Sequence, residues 1–208
     1  MSAPILKLPA LRSIPLAEQL PVGRLIEITS AVAGAQMTVA VACLRAAQEQ
    51  GETAAFVQPE HGALFPPDLA ESGIDLDALL VVNVPARAGS FGAVKAAELL
   101  LRSGGFGLVA LDLRGAIASH EQRALLRDSA WQGRLLGLAR EHDSSVLLLS
   151  DGATHSGSLG PLVSLCIEPH RTRIAQGLFS IEHRVRKDKS GLLTALARDQ
   201  RRGPHGLS

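Results

Sequence analysis

The chain has no tyrosine, one tryptophan and five phenylalanines among 208 residues. Single-stranded nucleic acid is usually held by stacking bases on aromatic faces, so contact of that kind has few candidates here and charge would have to do the work. Cysteine is nearly as scarce. Cys43 and Cys166 lie far apart in apolar stretches, without C-x-x-C spacing or a histidine at ligand spacing, and read as two small core residues instead of a disulfide or metal site. No charge-free run of about 18 apolar residues occurs, and Met1 to Ala10 lacks both the basic and the long apolar part of a signal peptide. No membrane association is expected, and a cytoplasmic location is. The seven histidines (His61, His120, His142, His155, His170, His183, His205) show no H-x-x-x-H or H-E-x-x-H spacing, so no metal is expected. Ser150-Asp-Gly-Ala-Thr-His155 offers Ser, Asp and His together, but an acyl-transfer triad is assembled from separate elements, and the run reads as a turn.

What is present is the composition of one globular core: 46% hydrophobic and 20% charged residues, with 21 Lys+Arg against 20 Asp+Glu. The near-zero total hides an asymmetry. Residues 169–208 carry nine basic residues (Arg171, Arg173, Arg184, Arg186, Lys187, Lys189, Arg198, Arg201, Arg202) and three acids, a net of +6, which leaves the rest at −5. Such an end suits phosphate backbones or acidic protein faces, and it equally suits a plain solvated surface.

Proline-rich residues 1–21 read as an extended arm. Leu25–Thr29 is a short β-type run, and Thr38–Gln50 an Ala-rich helix stopped at Gly51. Strands are predicted at Thr53–Gln58, Ala78–Val84, Phe106–Leu113 and Ser145–Ser150, and helices at Pro67–Ser72, Gly92–Arg102 and, as one long stretch, Ser119–Glu141. Apolar runs of five or six residues alternating with helical patterns predict an α/β fold, a mainly parallel sheet covered by helices on both faces. Beyond the Gly/Ser-rich loop Asp151–Gly160, Leu162–Glu168 and Leu178–Arg186 read as an antiparallel hairpin. Leu192–Gln200 reads as a helical turn or two, and Arg201–Ser208 as loose. The expected organisation is an arm (1–21), a core (22–190) and a basic tail (191–208). Trp131 on the long helix suits core packing better than an interface anchor.

An α/β protein holds a triphosphate where a strand runs through a small-residue loop into a helix. That place is Ser30-Ala-Val-Ala-Gly-Ala-Gln-Met-Thr38, including Gly34. On the pattern G-x-x-x-x-G-K-[ST], Ser30 and Ala35 stand at the glycines, Gln36 at the lysine and Met37 at the hydroxyl. Gln36 brings no charge to the phosphates, and a thioether is a poor magnesium ligand. Thr38 comes one residue late and on a helix points about 100° away. Losing one partner of a desolvated charge pair costs roughly 2–5 kcal/mol, about 30- to several-thousand-fold in affinity. No cofactor and no useful ATPase activity are expected.

Pro21-Val-Gly-Arg-Leu-Ile-Glu-Ile28, Ala46-Ala-Gln-Glu-Gln-Gly51, Ala54-Ala-Phe-Val-Gln-Pro-Glu-His61, Gly73-Ile-Asp-Leu-Asp-Ala-Leu-Leu80 and Leu108-Val-Ala-Leu-Asp112 follow, in order, the ATPase core of the RecA recombinase family. The similarity runs from about Ile14 to Gly191. With its altered phosphate loop, the chain most resembles the ImuA-type (SulA-like) RecA-like accessory proteins of bacterial mutagenesis cassettes. These accompany an inactive Y-family polymerase-like protein and an error-prone polymerase. The resemblance puts Glu60 on the family's water-activating glutamate, Asp112 on its Walker B aspartate, and Asp151 where a glutamine senses nucleotide. It puts Lys187 and Lys189 on the K-x-K lysines that reach the neighbouring subunit's ATP in a filament. It implies a non-catalytic accessory role in the SOS response and damage-induced translesion synthesis, with RecA and the cassette polymerase proteins as partners, and DNA as a further one. The residues also leave open a DNA-binding module using Arg171, Arg173, Arg184, Arg186, Arg201 and Arg202, and an enzyme holding nucleotide unconventionally through Glu60 and Asp112.

Overall fold

The computed structural model describes residues 17, 20–30, 34–62, 64–115, 128–151, 158–175, 178–189 and 199–202, the last of these as backbone. In chain order the elements are β1 (Arg24–Ser30), α1 (Gln36–Glu49), β2 (Ala54–Pro59), α2 (Pro66–Glu71), β3 (Leu79–Val84), α3 (Gly89–Arg102), β4 (Leu108–Asp112), α4 (Ala130–Glu141), β5 (Ser145–Asp151), β6 (Val163–Ala175), β7 (Leu178–Asp188) and β8 (Asp199–Arg202). They form one sheet of order β3-β2-β4-β5-β1-β6-β7-β8. Neighbours from β3 to β6 are parallel, and the β6–β7 and β7–β8 pairs are antiparallel. The α/β class and the C-terminal hairpin stand as read from the sequence.

The central strands are apolar at nearly every position because both of their faces are covered. Ile26, Ile28, Phe56, Leu147 and Leu149 pack on the side of α1 and α2, while Leu25, Val57, Leu111, Val146 and Leu148 meet α3 and α4. Helix α1 buries Val39, Ala40, Cys43, Leu44 and Ala47, positions one helical turn apart along a single stripe. It stops where Gly51 takes φ +82°, a left-handed conformation that glycine adopts without strain. Trp131 is 1% exposed within the α3/α4 layer, and both cysteines are buried thiols. Burial pushes the Cys43 thiol up to about 12, which leaves it inert. Ala17 and Leu20, inside the expected arm, pack against the α1 side of the core.

Three expectations change. Within Ser119–Glu141 only Ala130–Glu141 is helical among the described residues, and in the turn just before it Asp128 Oδ1 accepts the Ala130 N–H at 2.8 Å; 119–127 lie outside the described residues. The hairpin strands are longer than the apolar runs, reaching Ala175 and Asp188, since each satisfies the other's backbone after the side chains turn polar. Pro169 is tolerated because β1 pairs β6 only as far as Ile167, so no strand on that side needs its missing N–H. Lastly, Asp199–Arg202 is a strand on the free edge of β7, neither helical turn nor loose end. The preceding 191–198 lie outside the described residues.

Helices α3 and α4 are joined by charge as well as packing. Glu98, 4% exposed, accepts hydrogen bonds from Lys95 Nζ at 3.1 Å and from Arg134 Nε. Burial pushes its carboxyl up, but the bonds and charges of Arg134 and Lys95 outweigh burial and hold it below the usual 4.5. A depressed carboxyl contributes stability above its unfolded pKa and loses it as pH falls through the folded one. Thermal unfolding of wild type and Glu98→Gln should therefore differ near neutrality and converge as the pH falls below the usual 4.5 and through the lowered folded value. Parallel curves would show that the pair contributes nothing.

Candidate functional site

The parallel strands deliver their C-terminal ends to one rim of the sheet, where β1 leads toward α1. Gln36, the first residue of α1, is 5% exposed and turns inward. Its Nε2 donates to Ile28 O at 3.1 Å and to Ser150 O at 2.6 Å, so one amide ties together the ends of the paired strands β1 and β5. Both N–H groups are spent on backbone carbonyls, and none faces a ligand. Ala35 at the helix N-cap supplies no side-chain bond. Gly34 is required by crowding: a Cβ there would stand 2.4 Å from Ser30 Oγ and 3.0 Å from Pro169 O. Thr38 is half-buried in the first turn of α1.

Asp112 closes β4 at 5% exposure, and its carboxylate is claimed by Arg114. The guanidinium donates through Nε to Oδ1 at 2.9 Å and through Nη2 to Oδ2 at 2.7 Å, and the Arg114 backbone N–H adds a 3.0 Å bond to Oδ1. Nη2 also contacts Met37 Sδ at 3.1 Å. The hydrogen bonds to Asp112 raise the Arg114 pKa further, against the opposing effect of burial, and the charge of Asp151 adds to them. Asp151, at the end of β5, accepts the Gly115 N–H through Oδ2 at 2.6 Å. Three of the singled-out residues, Met37, Asp112 and Asp151, are thus gathered around Arg114 and Gly115. Beside them a cleft of about 350 Å³ opens between the ends of β2, β3 and β4 and the start of α3.

Glu60 is exposed just beyond β2, and its Oε2 accepts the Ala86 N–H at 3.4 Å, capping the turn after β3. That is the structural use of a carboxylate at a strand end.

Lys187 and Lys189 reach back onto their own chain. Lys187 Nζ donates to Gly160 O at 2.8 Å, and Lys189 Nζ to Pro161 O at 3.1 Å. Burial, then the adjacent Lys189 ammonium, hold Lys187 below the usual lysine value. The turn they hold is braced from inside. Glu27, 1% exposed in the middle of β1, accepts from Ser150 Oγ at 2.6 Å and from Leu159 N at 2.8 Å. Gln132 of α4 donates to Leu159 O at 3.1 Å and accepts from Leu162 N at 3.3 Å. A Cβ at Gly160 would stand 2.2 Å from Gln132 Nε2.

On the hairpin, the Arg171 guanidinium lies 4.9 Å from the centroid of the Phe179 ring, and Arg173 Nε donates to Ala175 O at 3.4 Å. Arg186 pairs with Glu168 at 3.6 Å, and Arg184 is the cross-strand neighbour of the same glutamate. Arg201 and Arg202 stand in register with Phe179 and Leu178. The described residues contain no cluster of three or more potential metal ligands among His, Cys, Asp and Glu, and no helix long and apolar enough to cross a membrane.

Sequence reasoning missed Arg114, Glu27 and Gln132. Asp112-Leu-Arg114 was legible as an acid and a base two apart at a strand end, and Glu27 as a lone acid in an apolar run. The contact of Arg114 with Met37 had no local signal, since the two are 77 positions apart.

Among proteins of known identity, the RecA protein of Kineococcus radiotolerans is 31% identical over 139 residues, covering 67% of this chain and 38% of that one. The RecA proteins of Clostridioides difficile and Fusobacterium nucleatum are 35% and 36% identical, each over 47% of this chain and 27% and 25% of their own length. The chain thus spans well under half of these relatives. The model of the RecA N-terminal domain matches residues 14–139, from the end of the expected arm to the last turn of α4. This chain belongs to the RecA N-terminal domain family.

Proposed function

We propose that this protein is a non-catalytic, RecA-like accessory protein that acts by binding, in the SOS response and damage-induced mutagenesis, with RecA and the cassette polymerase proteins as its partners. The observation that carries the reading is the internal use of the phosphate site. Gln36 is committed to Ile28 O and Ser150 O, and Asp112 to Arg114. A triphosphate entering there would meet no lysine. A hard cation would meet a thioether and a guanidinium, neither of which it takes as a ligand. The Mg²⁺·ATP that the family uses therefore does not fit these residues. The role in translesion synthesis comes from the resemblance to the ImuA-type proteins.

A protomer that offers Lys187 and Lys189 to a RecA neighbour, yet holds no ATP for the next subunit, would end or interrupt a filament. Lys187 would have to exchange the Gly160 carbonyl for phosphate, and an anionic acceptor forms the stronger hydrogen bond.

A second reading, a DNA contact along the hairpin, is favoured by Arg171 on Phe179 beside Arg173, a cationic and aromatic face of the kind that takes bases and phosphates.

Calorimetric titration with ATP and Mg²⁺ should give no binding tighter than about 1 mM, equivalent to about 4 kcal/mol. Micromolar affinity would restore the enzyme reading. Lys187→Ala with Lys189→Ala should diminish any effect on RecA filament assembly while the circular dichroism spectrum is retained; an unchanged effect would refute filament capping. For DNA, Arg171→Ala with Arg173→Ala should lessen the salt dependence of binding by about one to two log units per log salt, because each phosphate neutralised by the protein accounts for about 0.9 of that slope. An unaltered slope would place DNA on another face.

A further inference from the structure

We propose that Arg114 is a built-in counter-ion that takes the place of a divalent metal, holding the phosphate-loop end of the fold in one arrangement regardless of nucleotide or cation. This role goes beyond partner binding, since it concerns the cohesion of the site and holds whether or not RecA is the partner.

A carboxylate such as Asp112, 5% exposed at the end of a central strand, needs a positive charge close by, because its desolvation is otherwise uncompensated. In a metal-dependent phosphate site that charge is a cation shared between the strand-end carboxylate and a hydroxyl in the first turn of the helix. Here the residue at the hydroxyl position is Met37. Met37 and Asp112 converge on a single nitrogen, Arg114 Nη2, at 3.1 and 2.7 Å. The guanidinium therefore touches both of the positions that would share a metal. A thioether tolerates an N–H donor there but would serve a hard cation poorly, so Met37 and Arg114 suit each other.

The tether also reaches a third element. Directly after Arg114, Gly115 turns at φ +74°, a left-handed conformation suited to glycine, and gives its N–H to Asp151 at the end of β5. Residues 114–115 thus bind the end of β4, the first turn of α1 and the end of β5. Bound phosphate and metal supply that junction in a nucleotide switch. Here the chain supplies it, with a charge that cannot dissociate.

The test is thermal unfolding of the full chain in EDTA and in MnCl2. Wild type should unfold at the same temperature in both. Arg114→Ala should lose on the order of 10 °C in EDTA, the scale expected for breaking a buried ion pair in a protein of this size. It should recover part of that loss in Mn²⁺, which can now approach Asp112, and Asp112→Asn with Arg114→Ala should recover none. If Arg114→Ala does not fold in EDTA, Asp112→Asn with Arg114→Gln, a neutral hydrogen-bonded pair, should fold and melt near wild type without responding to Mn²⁺. An Arg114→Ala protein within about 2 °C of wild type would overturn the proposal, being smaller than the shift from 1 kcal/mol. So would one whose lowered stability ignores Mn²⁺, or a neutral pair no more stable than Arg114→Ala. A wild type stabilised by Mg²⁺·ATP would overturn the non-catalytic reading, while the Arg114 variants in EDTA would still decide the counter-ion.

Discussion

A parallel sheet gathers hydrogen-bond acceptors at one rim. At the C-terminal ends of β1, β4 and β5 the carbonyls of Ile28 and Ser150 and the carboxylates of Asp112 and Asp151 come together at the edge of a closely packed core. Unsatisfied, each would cost about 1–3 kcal/mol or more, since a buried acceptor without a donor loses its hydration and gains nothing. Phosphate sites of this fold class meet that demand with cations and loop amides that also serve a ligand. This chain meets it with Gln36, Arg114 and the Gly115 N–H, all of them donors aimed at its own strand ends. These donors therefore act on the protein itself, by holding the strand ends together.

Three sequence features that look unrelated share this cause. Gln36 is the right length to bridge two adjacent strands from the start of α1, whereas a lysine there would bring a charge facing carbonyls only. Met37 gives the Arg114 guanidinium a soft, uncharged neighbour, so that its charge is matched by Asp112, with Asp151 adding to it. Gly34 has no room for a side chain, because Ser30 of β1 and the Pro169 carbonyl of β6 stand where a Cβ would go.

The architecture was legible because the signals for it are local and repeated. Short β-type runs in Leu25–Thr29, Leu108–Leu111 and Val146–Leu149 read as strands covered on both faces, and the Ala-rich stripe of Thr38–Gln50 as a helix lying against them. What was not legible depends on partners distant in sequence. β8 forms because β7 offers an open edge, and Asp199–Arg202 carries no apolar alternation to announce it. Arg114 reads as an ordinary basic residue until the fold carries it to Met37. Glu27 was visible as an acid in an apolar strand, but its partners Ser150 and Leu159 are more than 120 positions away.

The lysines at the end of the hairpin are likewise turned onto their own chain. Lys187 and Lys189 are not free arms: their ammonium groups hold the Gly160 and Pro161 carbonyls of a turn that Glu27 and Gln132 brace from within. Burial and mutual repulsion lower the Lys187 proton affinity, so the arrangement is less favourable to its charge than water would be. An anionic acceptor would form stronger hydrogen bonds with these ammonium groups than the carbonyls do. The turn would keep its internal bonds to Glu27 and Gln132 when the lysines leave. Departure of the lysines would cost three carbonyl bonds, two made by Lys187 and one by Lys189, and would leave the bonds of Glu27 and Gln132 in place.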